Sequence, residues 1–195
     1  MKIICIGDSL MTGYKLSPED SFVRQLDRTS KNDWVLRGID GDTANGVLAR
    51  LHADGLAQSP RAIFFLCGVN DIVLTGGWEQ VRSCIMAIVH ECVANNVLPV
   101  MGIPYLFRDI PPLWKPLCPP VEVLREAMKG YIYWLREFAA VTGVRHVDFA
   151  RAFEEAQKAH PEEELFQEDG LHPTAAGCRL MADTVRATQS LKNLL

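Results

Sequence analysis

With 195 residues the chain can bury one full core but is short for two domains of ordinary size, so a single domain over 1–195 is expected. Its 48% hydrophobic content excludes a disordered chain. A net charge of −4 with no basic run excludes nucleic acid as a main partner, and with no apolar stretch of spanning length, stable membrane anchoring is not expected.

The chain opens on Lys2-Ile3-Ile4-Cys5-Ile6-Gly7, an apolar run that predicts a first strand over about 2–7. No charged leader or long apolar segment precedes it, so no secretory signal is expected. Asp8-Ser9-Leu10 follows directly, which sets a hydroxyl just past a strand's carboxyl end, the edge where open α/β sheets bind ligands. A helix is expected over about 18–30, with Ser17 as its N-cap, Pro18 at its first position and Phe22, Val23 and Leu26 on one stripe. Residues 33–39 predict a second strand, although Arg37 and Gly38 interrupt it. The turn Asp40-Gly41-Asp42-Thr43 then runs into a helix with Val47, Leu48 and Leu51 at helical spacing and Asp42 or Thr43 as cap.

Ala62-Ile63-Phe64-Phe65-Leu66-Cys67 is apolar throughout, the pattern of a parallel strand buried on both faces. It ends at Gly68-Val69-Asn70-Asp71. Gly76-Gly77 opens a helix over about 78–95, whose stripe runs through Val81, Cys84, Ile85, Ile88, Val89, Cys92 and Val93. Residues 97–103 predict a fourth strand, with Pro99 near its start. The loop over 104–120 holds six prolines together with Tyr105, Phe107 and Trp114, and it is expected to wall or cover a pocket. A long helix over about 121–141 ends near Gly143; a short strand over 144–148 and a helix over about 149–159 follow. An acidic loop leads to Asp169-Gly170-Leu171-His172-Pro173, and the last helix is expected to start at Pro173. Strands alternating with helices predict an α/β three-layer, flavodoxin-like sandwich around a five-stranded parallel sheet, in the order 2-1-3-4-5.

Cys5, Cys67, Cys84, Cys92, Cys118 and Cys178 form no CxxC pair, and four of them fall in predicted strands or on an apolar helix face. They read as small buried thiols of a reducing compartment, which makes a cytoplasmic location the expectation. His52, His90, His146 and His160 share no ligand spacing with carboxylates or cysteines, so neither a metal nor another cofactor is expected.

Ser9, Gly41, Asn70 and the Asp169–His172 pair all follow strand ends on one edge of the predicted sheet. Together they suit acyl transfer: a serine hydroxyl is a poor nucleophile until a base takes its proton, and imidazole changes charge near neutral pH. Asp169 would then fix the ring's tautomer, and the backbone N–H groups of Ser9 and Gly41 and the amide of Asn70 are the expected oxyanion donors. The chain resembles the SGNH, or GDSL-like, esterases and lipases through Gly7-Asp8-Ser9-Leu10, Gly41 before Asp42-Thr43, Gly68-Val69-Asn70-Asp71 and Asp169-Gly170-Leu171-His172. That resemblance implies the SGNH hydrolase fold and Ser9, Asp169 and His172 as catalytic triad. It also implies a small esterase, lysophospholipase or thioesterase type of activity on a small-molecule ester. Residues 7–11 lack the second glycine of a GxSxG elbow, so the α/β-hydrolase fold is rejected.

Leu10, Met11, Val69, Tyr105, Phe107 and Trp114 are the candidate pocket residues, suited to a small or medium acyl chain. Two other readings stand beside the esterase. One is carbohydrate O-deacetylation by the same triad. The other is a non-catalytic flavodoxin-like module binding a flavin phosphate, which Asp8 would repel. Asp8 and Asp71 are expected to brace loops or cap helices.

Overall fold

Buried on nearly every residue, Ile3, Ile4, Cys5 and Ile6 make Lys2–Gly7 (β1) a central strand, as does Ala62–Leu66 (β3), which is buried throughout. The computed structural model describes residues 1–192. Asp33–Gly38 (β2), Leu98–Ile103 (β4) and Arg145–Asp148 (β5) complete a five-stranded sheet in the order β2-β1-β3-β4-β5, parallel at every pairing. The edge strands β2 and β5 are the most polar ones, as half-exposed positions require.

The sheet grows in two directions from β1. Right-handed crossovers therefore place the β1–β2 helix on one face and the helices leading to β3, β4 and β5 on the other. Phe22–Thr29 (α2) occupies the first face with Phe149–Ala159 (α7) and Ala175–Ala187 (α8), and these helices pack in the sequence α2, α8, α7. Phe22 of α2, Phe64 of β3 and Phe149 of α7 meet edge to face, with centroids 5.8–6.3 Å apart. Each such buried ring contributes about 2–3 kcal/mol of transfer free energy. On the other face Ala44–Arg50 (α3) packs against Glu79–Ala94 (α5), and Val69–Thr75 (α4) against Val121–Thr142 (α6). A single short turn, Ser9–Thr12 (α1), follows β1. Among the described residues no helix is long and apolar enough to cross a membrane, and all six cysteines are free.

Several local expectations are corrected. The stretch expected to be one helix from 18 is a 3₁₀ turn, Pro18–Asp20, followed by α2, and the cap is Ser21 rather than Ser17. Ser21 is extended and its Oγ accepts from the Arg24 N–H at 3.3 Å, which restarts the helix with its apolar stripe turned inward. The last helix starts at Ala175, capped by Thr174 Oγ1 accepting from Gly177 N–H at 3.1 Å, because Pro173 is held in a bridge with Phe166. Of the two caps expected for α3, Asp42 or Thr43, it is Thr43 that accepts the Gly46 N–H, at 3.1 Å. Helix α4 was not anticipated at all. Gly76, expected to open a helix, instead closes α4 in a left-handed conformation (φ +73°).

Candidate active site

Gly7 ends β1 where an added Cβ would stand 2.1 Å from the carbonyl oxygen of Leu66 on β3, so only glycine lets the two strands stay paired there. The chain then turns at once. The Asp8 carboxylate caps α1 by accepting the Leu10 N–H at 2.9 Å, and Gly13 closes the turn at φ +76°. Ser9 is thus held at the first position of a one-turn helix, its carbonyl accepting from the Thr12 hydroxyl and from the N–H groups of Gly13 and Tyr14.

His172 reaches this serine from the other end of the chain. The loop before α8 is shaped by Asp169, whose Oδ1 accepts both the Leu171 and His172 N–H groups at 2.9 Å. Its Oδ2 lies 2.7 Å from His172 Nδ1, and His172 Nε2 lies 2.9 Å from Ser9 Oγ. A carboxylate can only accept, so it fixes the ring proton on Nδ1 and leaves Nε2 free to accept from the serine hydroxyl. Burial pushes the Asp169 carboxyl up, but the hydrogen bonds from His172 and Leu171 outweigh it and hold the group below the usual carboxylate range. Tyr14 packs its ring against the imidazole, centroids 4.3 Å apart, and the Gln167 amide donates through Nε2 to the Tyr14 and Pro173 carbonyls at 2.8 and 2.9 Å, which ties the two segments together.

Gly41 and Asn70 stand past the neighbouring strands β2 and β3, whose register aligns Gly38 and Leu66 with Gly7. Gly41 needs its left-handed φ of +80° rather than space, since a Cβ there would meet nothing within 4 Å. Asn70 sits in the first turn of α4 behind Gly68, which is at φ +100° and has Tyr131 Oη 2.6 Å from where a Cβ would stand. One N–H of the Asn70 amide donates to the Asp42 carbonyl at 2.9 Å, which ties it to the Gly41 loop and leaves its second N–H for another acceptor. Asp71 Oδ2 accepts the Ala44 N–H at 2.9 Å and so joins the starts of α3 and α4, the bracing role expected for it.

A model of the GDSL-like lipase/acylhydrolase family matches residues 5–180, most of the chain. The chain belongs to that family. Among curated proteins, thioesterase 1/protease 1/lysophospholipase L1 of Escherichia coli (strain K12) is 30% identical over 101 residues, which is 51% of this chain and 49% of that protein. The match thus spans about half the length of that relative. A solved member of the lipolytic G-D-S-L family from Veillonella parvula superimposes with a TM-score of 0.73 at 24% identity, covering 97% of this chain and 98% of the other. The lipase/acylhydrolase from Enterococcus faecalis gives a TM-score of 0.76 at 22% identity, covering 100% and 96%. At these identities the solved structures speak for the shared fold.

In this GDSL hydrolase the candidate pocket residues divide. Leu10, Met11, Tyr105 and Phe107 are buried in the core. Tyr105 stacks on Phe153 at 4.1 Å and donates its hydroxyl to the Leu171 carbonyl at 3.1 Å, so it supports the histidine loop from beneath and offers no surface to a substrate. Val69 is also buried, and Trp114 is half-buried against the core. The 104–120 loop instead contributes Pro112 to a cavity of about 570 Å³ beside Asp169, shared with Lys15 and Gln167.

Sequence reading did not single out Tyr14, Gln167 or Arg50. Arg50 donates to the carbonyls of Gly7 and Arg37 and pairs with Asp42 at 2.8 Å and Asp54 at 3.0 Å, which pins the Gly41 loop to the end of β1. Its i,i+4 spacing to Asp54 was the one available signal. Asp8 is fully buried and its Oδ2 has no partner. Burial pushes its carboxyl up to about 7, and the nearby Asp42, Asp71 and Asp40 push the same way, against the single opposing Leu10 hydrogen bond.

Proposed function

We propose that this chain is a serine hydrolase of carboxylic esters, working through an acyl intermediate on Ser9, with the whole activity in one domain. The observation that carries the reading is the unbroken line from Asp169 through His172 to Ser9, at 2.7 and 2.9 Å. His172 Nε2 takes the hydroxyl proton as Ser9 Oγ attacks the ester carbonyl, and Asp169 steadies the resulting imidazolium. The oxyanion is met by the Ser9 and Gly41 N–H groups and the second Asn70 N–H. Collapse expels the alcohol, protonated by His172. Water activated by the same imidazole then releases the acid and restores the hydroxyl.

An exposed apolar side chain on the helix that carries Asn70 favours an acyl chain: Leu74 lies one turn after Asn70 on α4 and is 62% exposed. Small to medium acyl esters are the substrate class, with thioesters and lysophospholipids as close chemical variants that the name of the Escherichia coli relative suggests. Six free thiols suit a reducing compartment, and we place the protein in the cytoplasm. The test is a panel of nitrophenyl esters from acetyl to palmitoyl, with acetylated sugars alongside, on wild type and Ser9→Ala. Turnover of the shorter nitrophenyl esters that vanishes in the variant supports the reading. Turnover of acetylated sugars alone would replace it with O-deacetylation, and equal rates in both proteins would remove Ser9.

A further inference from the structure

We propose that the cleft between α6, α7 and the 106–108 segment is a phosphate-binding site distinct from the Ser9 centre. The cleft has a volume of about 380 Å³ and is lined by Arg108, Arg125, Lys129 and Arg136 against one carboxylate, Glu154. Glu154 is itself engaged by Lys158 at 2.6 Å, outside the cleft. The lining therefore carries an excess of positive charge on a protein whose net charge is −4.

Arg125 is the focus. It donates to the Phe107 carbonyl, and among the described residues no carboxylate stands within ion-pair distance of it. The other three cations are paired with acids that do not line the cleft: Arg108 with Glu164 at 2.7 Å, Lys129 with Glu126 at 2.6 Å and Arg136 with Asp148 at 2.8 Å. The Arg108 and Lys129 pairs are solvent-exposed, so they contribute little and exchange readily for an incoming anion. The guanidinium forks of Arg125 and Arg108 suit the paired oxygens of phosphate, while Arg136 keeps both arms on Asp148 and adds only its charge nearby; a dianion offsets more of the excess charge than a carboxylate would. Ile132 and Phe153 supply an apolar floor, and the cleft exceeds the size of a bare phosphate, so it has room for an attached organic group.

The cleft shares the sheet edge of the catalytic site. Arg108 and Asp109 both donate backbone N–H groups to the Gly170 carbonyl, at 2.8 and 3.2 Å, within the loop that carries Asp169 and His172. From the end of β1 to the end of β5 is three strand spacings, about 14 Å at ~4.8 Å each. The phosphate is either free or part of a substrate whose ester reaches Ser9. Binding itself does not depend on how Ser9 is read; only the substrate arm below rests on that reading.

Calorimetric titration of the full chain with inorganic phosphate and with phenyl phosphate tests the site. Saturable binding by wild type, weakened by salt and about tenfold or more by Arg125→Gln, is the expected result. Lys129→Gln, at an exposed position that leaves folding intact, weakens it several-fold and serves if Arg125→Gln does not fold. Failure of wild type to bind, or equal binding by wild type and folded variants, overturns the proposal. In the second arm, KM is compared for a neutral nitrophenyl ester and an acyl ester bearing a phosphate. A rise confined to the phosphate-bearing ester in the variants assigns the site to substrate. Lost phosphate binding with both KM values unchanged assigns it to free phosphate.

Discussion

Asn70 has a structural bond on one side of its amide and, in the proposed mechanism, an oxyanion to meet on the other. One N–H of its amide donates to the Asp42 carbonyl at 2.9 Å, which leaves the second for the proposed oxyanion. Asn70→Ala is expected to lower kcat about 100- to 1,000-fold with little change in KM, since the lost donor acts on the oxyanion and not on the ground-state ester. Steady-state kinetics on both parameters check this; an unchanged kcat removes Asn70 from the oxyanion hole. Asp8 works in the opposite sense. Its folded value of about 7 stands above the ordinary 3.8, so between about pH 4 and about pH 7 the folded protein holds a proton that the unfolded chain has released. Its contribution to stability therefore falls as pH rises through that window. Asp8→Asn keeps the cap acceptor for Leu10 and removes the titration, so the variant should gain on wild type as pH climbs from 5 to 7. Urea midpoints at both pH values measure it, and a difference independent of pH would contradict the assignment.

Caps and terminators decide the elements, and they mark where sequence reading succeeded and where it did not. The strands were legible because β1 and β3 are apolar on both faces, and β2 survives Arg37 and Gly38 as a tolerant edge. Helix α4 was hidden because its seven residues are too few to show a period, and because Asn70-Asp71 after a glycine looks like a turn. Ser17 and Ser21 offer equal chemistry, and only the packing of Phe22, Val23 and Leu26 selects the second. Ser21→Ala should therefore cost about 1 kcal/mol, a fall of about 2–4 °C in Tm, with ester turnover retained, while Ser17→Ala should leave Tm unchanged. Thermal melts of the pair distinguish them, and an equal loss in both would restore the longer helix. Tyr105 and Phe107 were misplaced for a related reason. A loop has no period to say which side chains turn inward, and these two turn into the core while Leu113 and Leu117 face solvent.

At the scale of the molecule the sheet order does the assembling. Ser9 and His172 are 163 residues apart in the chain. They meet because β1 is central and because α7 and α8 return across the α2 face, which carries the loop before α8 back over the end of β1. Four segments far apart along the sequence could be expected at one edge because parallel strands bring all their carboxyl ends there. The supporting contacts, such as Arg50 on the Gly7 carbonyl, were not legible, since they cross between elements whose relative placement no local pattern encodes. The basic cleft at β5 belongs to this scale too, since Arg108 reaches it from the loop after β4 and Arg125 and Arg136 from α6.

The most direct test of the account is an intact-mass measurement of the protein after exposure to a fluorophosphonate ester, which reacts only with a serine whose proton is being withdrawn. The account predicts one stoichiometric adduct that peptide mapping places on Ser9, with none in Ser9→Ala and slow labelling in His172→Ala. An adduct on another residue, or none at all in a preparation that still cleaves esters, would contradict it.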